Sequence, residues 1–448
     1  MIKKFILTFL LKSTKRGLRE ELNEIEKIKS EKDLLMLEEK YLKALLLHAY
    51  YNVKYYNITL NEVGIIRNGE IDLDKFSTIP ILTKSIIRQY REKIVSNDYM
   101  TRKWYYNSSG GSTGEPVRFV QDEMYRRWNS ATNKYYYQDM LGIDEVHSRK
   151  VILWGSDRDI FEGTIGLRAK IGNWLTNTVF LNSFRMTKED MEKYIKIINQ
   201  YKPELIRGYA GSLYELCRFA EANNLKIFTP KILVSAAETL TDDMREKIES
   251  VFGTKVYNFY GSREVGPIAG ECKHGLMHIF TFNNYVETIN HNKPVTENQE
   301  GNIIVTNLHN YSMPFIRYEI GDMAVSGPKK CKCGSPLPTF EKVTGRVIEH
   351  FIKKDGTVIP GEFFIHLIGV VCNSGFIRKF QVIQEDYERI RLLVVPSGTI
   401  DEHSKREITN KIRVVMGNEC NIIWEFVDEI PKLKNGKYLY TQSLLYER

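Results

Sequence analysis

Short apolar runs alternate with longer amphipathic stretches between residues 151 and 262. The runs predict buried strands, and the stretches, in which apolar residues recur every three or four positions, predict helices. The predicted strands are VILWGS, ELIRGYA, ILVSAAE and KVYNFYGS, and the predicted helices are KEDMEKYIKIINQY, SLYELCRFAEANN and DDMREKIESVF. Strands that alternate with such helices are typical of βαβ units in a mostly parallel sheet. We therefore predict an α/β fold, with ligands expected at the carboxyl ends of the strands.

The pattern changes on either side of this region. Residues 18–56 keep helical spacing without proline or glycine, which predicts one helix, and Thr83 is the predicted cap of a later helix. Beyond about residue 278, short runs such as GNIIVTNL and FIRYEI predict a β-rich portion. The last part of the chain combines strand-like runs with one charged helix, which predicts a small α+β unit. We expect an N-terminal domain over residues 1–347 and a C-terminal domain over residues 348–448.

Composition and charge exclude several classes of protein. The 448 residues are 42% hydrophobic and 27% charged, which is ordinary for a globular protein and unlike a disordered or collagen-like chain. The formal net charge is +8, but six lysines and arginines precede the first acid, Glu20, and the rest of the chain carries only +2. A nucleic-acid partner is therefore not expected, because such a protein carries a basic groove.

The first residues of the chain are amphipathic and basic. Ile2, Phe5, Ile6 and Phe9 share one face of a short helix, with lysines nearby and no small-residue cleavage pattern after them. Two interpretations stay open: a helix packed on the domain, and a helix in weak contact with an anionic membrane surface. No apolar run approaches the roughly 18 residues that a spanning helix needs. We expect a cytoplasmic protein, peripheral at the inner face of the membrane under the second interpretation.

Six cysteines at irregular spacing do not indicate a disulfide framework, and they fit a reducing compartment. Cys272 and His278 precede a close pair, Cys331 and Cys333, along the chain. Three thiols and an imidazole suit a tetrahedral structural Zn²⁺, and reduced thiols on a hairpin are the alternative. The other cysteines lie in apolar surroundings, which predicts core positions for Cys217, Cys372 and Cys420.

A loop rich in glycine and hydroxyl groups, SSGGSTGEP, begins at Ser108. Glycines allow the backbone to approach a polyanion, and successive N–H groups and hydroxyls bind phosphate oxygens. The loop lacks the Gly-Lys-Ser/Thr ending of a P-loop, so it does not indicate a P-loop nucleotidase. Taken alone, a flexible linker is the alternative.

Three further motifs each place a polar residue beside a turn. YNFYGSRE ends an aromatic strand and presents Glu264, a candidate Mg²⁺ ligand, although a capped turn is equally compatible. PFIRYEIGD ends in Asp322, whose carboxylate can accept hydrogen bonds from two ribose hydroxyls, although an acid after glycine is also a common turn. PKLKNGK ends in Lys437, which is either a mobile cation or part of a basic hairpin.

Together, in this order and spacing, the four motifs resemble those of the adenylate-forming superfamily. Within it the chain is most similar to the phenylacetate–coenzyme A ligase-like branch and to members associated with capsular polysaccharide biosynthesis. The resemblance extends over nearly the whole chain and includes the segments LLLHAYYNVKYY and IPILTK. It implies a large α/β N-terminal domain that binds ATP and a carboxylic acid, and a small α+β C-terminal lid that rotates.

The resemblance also implies a role for each motif residue. The residues that it implies for the phosphates of ATP are Ser109, Gly110, Gly111, Ser112, Thr113 and Gly114. For the rest of the nucleotide it implies Ala237 and Glu238 along the adenine and Tyr260 stacked on the base, with Gly261, Ser262 and Arg263 in the same motif as Tyr260. It also implies Asp322 at the ribose, with Arg317 as a nucleotide-binding residue of the same motif. The residues that it implies for catalysis are Glu264 as Mg²⁺ ligand, Arg346 at the hinge and Lys437 on the lid.

The implied reaction is ATP-dependent activation of a carboxylic acid. An acyl-adenylate forms with release of pyrophosphate, and the acyl group is then transferred to coenzyme A. Two alternatives stay open: transfer to an amine, such as an amino sugar or amino acid in surface polysaccharide biosynthesis, and a non-catalytic ligand-binding descendant. Dimers are common among such enzymes, so a homodimer is the assembly that the resemblance suggests.

The chain departs from the family pattern in three places. Glu115 stands where a lysine is frequent, and its negative charge would repel phosphate. We hypothesise that the positive charge of Arg118 compensates for that repulsion. Arg263 replaces the usual Ser or Thr before the glutamate, and we hypothesise that it contacts a phosphate directly. Glu349 stands where the hinge usually carries Asp. Glu115 and Arg263 are the features that support the non-catalytic alternative.

Two more sites follow from the resemblance. Members of this branch carry Cys–Gly-Leu-x-His–CxC elements that bind zinc, which implies a zinc-binding insertion around residues 272–333. His278 is the expected fourth ligand, because His274 lies too close to Cys272. The acid pocket is expected between Trp154 and Phe184, where aromatic residues suggest an aryl or otherwise apolar acid, and core positions for the same residues are the alternative.

Overall fold

The computed structural model divides the chain into two compact units. Residues described here are 18–67, 69–109, 117–155, 172–183, 186–290, 292–344, 351–359, 361–368, 376–398, 402–430 and 440–445. The first unit takes the described residues of Met1–Asn107, Val117–Asp144 and Phe259–Gly345. The second unit takes those of Ser108–Pro116, Glu145–Asn258 and Arg346–Arg448.

The helices and strands of the described residues are numbered along the chain. The helices are α1 (Glu31–Asn52), α2 (Lys54–Val63), α3 (Lys84–Tyr90), α4 (Glu123–Lys134), α5 (Lys188–Tyr201), α6 (Ala210–Ala222), α7 (Asp242–Phe252), α8 (Gly361–His366) and α9 (Glu402–Met416). The strands are β1 (Ile66–Arg67), β2 (Glu70–Ile71), β3 (Trp104–Ser108), β4 (Arg118–Asp122), β5 (Lys150–Trp154), β6 (Thr178–Asn182), β7 (Leu205–Tyr209), β8 (Ile232–Ala236), β9 (Val256–Ser262), β10 (Gly266–Glu271), β11 (Met277–Ile279), β12 (Asn284–Asn290), β13 (Lys293–Pro294), β14 (Glu300–Asn307), β15 (Tyr318–Ser326), β16 (Thr339–Thr344), β17 (Phe351–Ile352), β18 (Val358–Ile359), β19 (Ile377–Asp386), β20 (Arg389–Pro396), β21 (Asn421–Phe426) and β22 (Thr441–Ser443). Short 3-10 segments lie at Leu73–Thr78, Arg91–Lys93 and Tyr99–Thr101, and a π-helical turn at Tyr135–Met140 continues α4.

The first unit is built on an antiparallel sheet. Its strands lie in the order β13-β12-β14-β15-β16-β11-β10-β9. Leu45 and Leu46 of α1 and Tyr56 of α2 are fully buried in a core that also contains Tyr318 and Phe340 from the sheet. This unit confirms the β-rich portion that the short apolar runs after residue 278 predict.

The second unit contains the predicted parallel sheet. Its strands lie in the order β6-β5-β7-β8 and pair in parallel. Buried side chains of α5, α6 and α7, such as Ile195, Leu213 and Phe252, pack in one core with those strands. Because β6 and β7 flank β5 on opposite sides, the strand order reverses between β5 and β7, where ligands bind in α/β sheets. The α/β class is therefore confirmed.

The C-terminal residues of the second unit form a small α+β structure. Its sheet has the order β21-β20-β19-β22, with β19 and β20 antiparallel and the other pairs parallel. Ile408 and Ile412 of α9 pack against the sheet in a core with Phe380 and Leu392. The α+β texture predicted for this part of the chain is confirmed, whereas its boundary at residue 347 lies outside the described residues.

The prediction of one continuous helix over residues 18–56 is wrong. The chain is helical over residues 18–26 and starts a new helix at Glu31. Ser30 causes this restart, because its Oγ accepts a hydrogen bond from the Asp33 backbone N–H at 3.2 Å while the Asp33 carboxylate accepts one from the Ser30 N–H at 2.9 Å. A second break at Val53 separates α1 from α2.

Two smaller predictions have opposite outcomes. Thr83 is confirmed as a helix cap, because its Oγ1 accepts a hydrogen bond from the Ile86 N–H at 3.3 Å at the start of α3. The strand predicted for FIRYEI starts three residues late, at Tyr318. Arg317 has a φ of 50°, in the left-handed region, which a strand does not accommodate.

No helix among the described residues is long and apolar enough to cross a membrane. The amphipathic segment that contains Ile2, Phe5, Ile6 and Phe9 lies outside those residues. Both interpretations of it stay predictions.

The capping box at the start of α1 gives a test of stability. We expect Ser30→Ala to lower the free energy of unfolding by about 1 kcal/mol, because the N–H of Asp33 loses its acceptor. The urea midpoint of the unfolding transition measures the effect. Ser130→Ala in α4 is the matched control, since the Ser130 hydroxyl only donates to the Arg126 carbonyl within a helix. Equal midpoints for Ser30→Ala and the wild type would contradict the capping role.

Candidate functional site

The turn between β9 and β10 carries the first candidate residues. A Cβ at Gly261 would lie 2.6 Å from the Gly266 carbonyl oxygen, so only glycine lets the two strands approach this closely. Gln121 Nε2 donates to the Arg263 carbonyl at 2.8 Å, and Tyr125 Oη donates to the same carbonyl at 3.1 Å. Burial raises the pKa of Tyr125, so its hydroxyl stays protonated as a donor. Side chains of β4 and α4 therefore fix the backbone immediately before Glu264.

The Glu264 carboxylate is buried beside a cation and a phenol. Its Oε1 lies 4.0 Å from Lys84 Nζ, at the start of α3, and 3.5 Å from Tyr318 Oη, at the start of β15. Only 7% of the Glu264 surface is exposed. A carboxylate oxygen is a hard ligand suited to Mg²⁺. The ammonium group of Lys84, 4.0 Å from that carboxylate, is suited to bind a phosphate oxygen. Sequence reasoning missed Lys84 and Tyr318, because nothing beyond the IPILTK segment indicates that α3 meets this turn.

Tyr260 and Asp322 lie together in the first unit. Tyr260 is on β9 and Asp322 is on β15, and Tyr260 Oη donates to Asp322 Oδ2 at 2.9 Å. Both side chains are partly exposed. The structure therefore brings together two residues that the sequence assigned separately to the base and to the ribose. Arg263 is exposed, and Ser262 Oγ accepts from the Val265 N–H at 3.4 Å.

Arg317 does not share the surroundings of Asp322, although both belong to one motif. Its Nε and Nη2 donate to the two carboxylate oxygens of Glu287 on β12 at 2.9 Å and 3.0 Å. Burial raises the pKa of the Glu287 carboxyl, and the bonds from Arg317 oppose that rise. The guanidinium is thus committed to an ion pair within the protein, and its contact with a nucleotide stays a prediction.

Three predicted nucleotide residues lie in the second unit. Ala237 follows β8 in the left-handed region with a φ of 69°. Glu238 Oε2 accepts a hydrogen bond from the Gly211 N–H in the first turn of α6 at 2.5 Å, so this side chain caps a helix whose own N-cap residue offers none. Among the described residues no partner is found for the other Glu238 oxygen, which is buried. Ser109 is buried at the start of the glycine-rich loop.

An aromatic stack lies at the carboxyl ends of the central parallel strands. The rings of Trp154 on β5 and Tyr209 on β7 stack with centroids 4.2 Å apart, and the Arg207 guanidinium lies 5.3 Å from the Trp154 centroid. Trp154 belongs to the segment expected to form the acid pocket, but Arg207 and Tyr209 were missed because ELIRGYA indicated only a strand. In that same segment Trp174 and Phe180 are exposed.

Four potential metal ligands converge in the first unit. One donor atom each from Cys272, His278, Cys331 and Cys333 lies within 4.8 Å of the others. Cys272 Sγ and Cys331 Sγ are 3.7 Å apart, and Cys333 Sγ is 3.2 Å from His278 Nε2. The other ring nitrogen, Nδ1, is 3.2 Å from the Leu337 carbonyl, which orients the imidazole as a second-shell partner does in metal sites. The donor set therefore fits a closed tetrahedral Zn²⁺ site.

The remaining predicted site residues lie outside the described residues, and their roles stay predictions. They are Gly110, Gly111, Ser112, Thr113, Gly114, Arg346 and Lys437. Glu115, Glu349 and Phe184 are outside them as well. Of the two other cysteines with a described position, Cys217 and Cys420 are buried as predicted, and Cys372 is not described.

Known proteins resemble this chain in sequence and in fold. A family model described as the CapK C-terminal domain matches residues 351–443. Protein CapK of Staphylococcus aureus is 24% identical over 430 residues, which cover 92% of this chain and 90% of that protein. Phenylacetate-coenzyme A ligase of Thermus thermophilus is 25% identical over 401 residues, which cover 85% of this chain and 82% of that protein. A crystal structure of 2-hydroxyisobutyryl-CoA ligase in complex with 2-HIB-AMP and CoA has a TM-score of 0.59 at 16% identity, over 92% of this chain and 90% of that one.

The close approach at Gly261 gives a second test. We expect Gly261→Ala to lower the free energy of unfolding by roughly 1–3 kcal/mol, because the added methyl group overpacks the β9–β10 turn. Thermal denaturation measures the change. Gly398→Ala is the control, because a Cβ there meets no atom within 4 Å. If Gly261→Ala denatured at the wild-type temperature, the turn would have room that the structure does not show.

Proposed function

This chain is a homologue of CapK and of phenylacetate–coenzyme A ligases with the fold of the adenylate-forming superfamily, and we propose on that premise that it activates a carboxylic acid with ATP. The observation that carries the proposal is the buried Glu264 carboxylate with Lys84 Nζ at 4.0 Å. The proposed products of the first step are an acyl-adenylate and pyrophosphate.

Glu264 and Lys84 supply what this chemistry needs. The carboxylate of the substrate and the phosphates of ATP are both anionic, so their approach costs Coulomb repulsion. Glu264 would hold a magnesium ion, which when bound neutralises phosphate charge. Lys84 would add a second positive charge beside the phosphates, and Lys437 is proposed to act at the reacting carboxylate. A cation placed beside the reacting atoms stabilises the negative charge that develops in the transition state.

Two residues of the first unit are proposed to bind the nucleotide. In the first unit, Asp322 would accept the ribose hydroxyls, and Tyr260, which already donates to Asp322, would flank the base. Glu238 belongs to the second unit, where its buried oxygen is an acceptor for a hydrogen-bond donor. An acceptor left unpaired in a buried position costs free energy, which a bound donor recovers.

Coenzyme A is the proposed acceptor of the acyl group in the second step. The support is the relationship to phenylacetate-coenzyme A ligases over most of the chain. Transfer to an amine of a surface polysaccharide is the second candidate, and the relationship to CapK is the observation that favours it. The two candidates differ in whether product formation requires a thiol.

Pyrophosphate release from ATP tests the proposed first step. We expect release to depend on one class among aryl, fatty and amino acids, and to fall at least about a hundredfold in Glu264→Gln and in Lys437→Ala. A further rise on adding coenzyme A supports the ligase, and a rise with an amino sugar supports the amine acceptor.

The control for this test is another buried glutamate. Glu215 on α6 is paired with Arg218 and is not among the proposed site residues, so Glu215→Gln changes a buried acid and is expected to keep wild-type release. Wild-type protein that binds ATP but releases no pyrophosphate with any acid would contradict the proposal and favour a ligand-binding protein.

We also propose that Cys272, His278, Cys331 and Cys333 hold a structural zinc ion. The six-residue strand β10 begins two residues after Glu264 and ends immediately before Cys272. A closed site at this end of β10 would fix the strand that follows the proposed magnesium ligand. The role proposed for zinc is therefore structural and not catalytic.

Metal analysis tests the zinc proposal. We expect one zinc ion per chain by mass spectrometry, and Cys331→Ser is expected to lose the metal and to denature at a lower temperature because the site is no longer closed. Cys217→Ala is the control, since Cys217 is buried in a different core and its removal should leave the zinc content unchanged. Purified protein that holds no zinc and is unaffected by a chelator would argue against the site.

A further inference from the structure

The side chain of Arg317 forms hydrogen bonds to three other residues. Its Nε and Nη2 are bound to Glu287, and its Nη1 donates to the carbonyl oxygens of Ser77 and Ile79, at 2.5 Å each. The side chain is only 5% exposed. All three guanidinium nitrogens therefore have partners inside the protein.

The backbone of Arg317 ties the same elements together. Its N–H donates to Thr306 Oγ1 on β14 at 2.8 Å, and its carbonyl accepts from the Leu82 N–H at 2.9 Å. The Leu82 carbonyl in turn accepts from the Glu319 N–H at 2.9 Å. A φ of 50° costs free energy for a residue with a side chain, so the surrounding bonds must maintain this conformation.

These bonds lie directly beside the proposed nucleotide residues. Lys84 is two residues after Leu82, and Tyr318 is next to Arg317 in the chain. Lys84 Nζ and Tyr318 Oη approach the same oxygen, Glu264 Oε1. Arg317 thus joins the two segments that deliver a cation and a hydroxyl to one carboxylate.

We infer that Arg317 is a positioning residue: paired with Glu287, it sets Lys84 and Tyr318 against Glu264 for binding of Mg·ATP. This inference rests on the proposed adenylation function and gives Arg317 an indirect role in nucleotide binding. Its guanidinium is suited to the task because one planar group binds a carboxylate in two places and two carbonyls from another side. A lysine ammonium cannot reproduce that geometry.

Binding of Mg·ATP to the full chain, measured by calorimetry, tests the inference. The variants are Arg317→Lys, Glu287→Gln and the double variant. We expect each single variant to bind roughly ten- to hundredfold more weakly, as for partners that orient the ligands of a site. The double variant should be no weaker than the weaker single variant, because the two residues act as one unit. In steady-state assays the KM for ATP should rise while the KM for the acid stays unchanged.

Arg127→Lys is the matched control. Arg127 pairs with the buried Glu21 in the same unit, with Nε–Oε1 at 2.8 Å and Nη2–Oε2 at 3.1 Å, and is itself partly exposed. It should keep wild-type affinity for Mg·ATP even if its denaturation temperature falls. Glu287→Gln conserves side-chain size, so it provides the comparison if Arg317→Lys fails to fold.

The outcomes separate this inference from the proposed function. Wild-type protein that does not bind Mg·ATP would overturn both. Wild-type binding with a loss only in Arg317→Lys, and none in Glu287→Gln, would mean that the guanidinium contacts the nucleotide itself. Equal binding by the wild type and both single variants would show that the ion pair positions nothing.

Discussion

The ion pair between Arg317 and Glu287 is a buried interaction that holds separate parts of the first unit together. Moving two charges out of water costs several kcal/mol per ion, and mutual attraction offsets this only when the remaining donors and acceptors are also satisfied. Here the carbonyl oxygens of Ser77 and Ile79 accept hydrogen bonds from Nη1, the guanidinium nitrogen that is not bound to Glu287. The pair therefore connects the segment before α3 to β12 and β15 in one arrangement. Losing either partner would leave the other charge buried and uncompensated.

In the same unit, the short strand β10 lies between the Glu264 turn and the cysteine cluster. β10 runs from the Glu264 turn at one end to Cys272 at the other. Gly261 permits the turn at the first end, and the convergence of three thiols and an imidazole marks the second. β10 pairs with β9 on one side and with β11 on the other, so both of its ends are held within one sheet.

Individual residues show how far the sequence predicts the site. The family resemblance identified Tyr260, Glu264 and Asp322, and the homology to CapK and phenylacetate-coenzyme A ligases confirms that resemblance. It also implied nucleotide binding for Arg317, whose guanidinium is paired with Glu287 in the structure. Lys84, Tyr318 and Arg207 were missed, because a lone charged or phenolic side chain in a segment with ordinary helix or strand pattern carries no local sign of its distant partner.

The sequence by itself determined the periodic elements, the caps and the donor chemistry. Apolar periodicity and turn residues are local, so the parallel strands, their helices and the cap at Thr83 could be predicted from short windows. The tertiary structure alone decided which distant residues meet: Lys84 with Glu264, Tyr260 with Asp322, and Glu238 with the start of α6. It also decided the left-handed conformation of Arg317. These features depend on strand order and on burial, which fix distances between residues far apart in the chain, and no pattern within a short window encodes those distances.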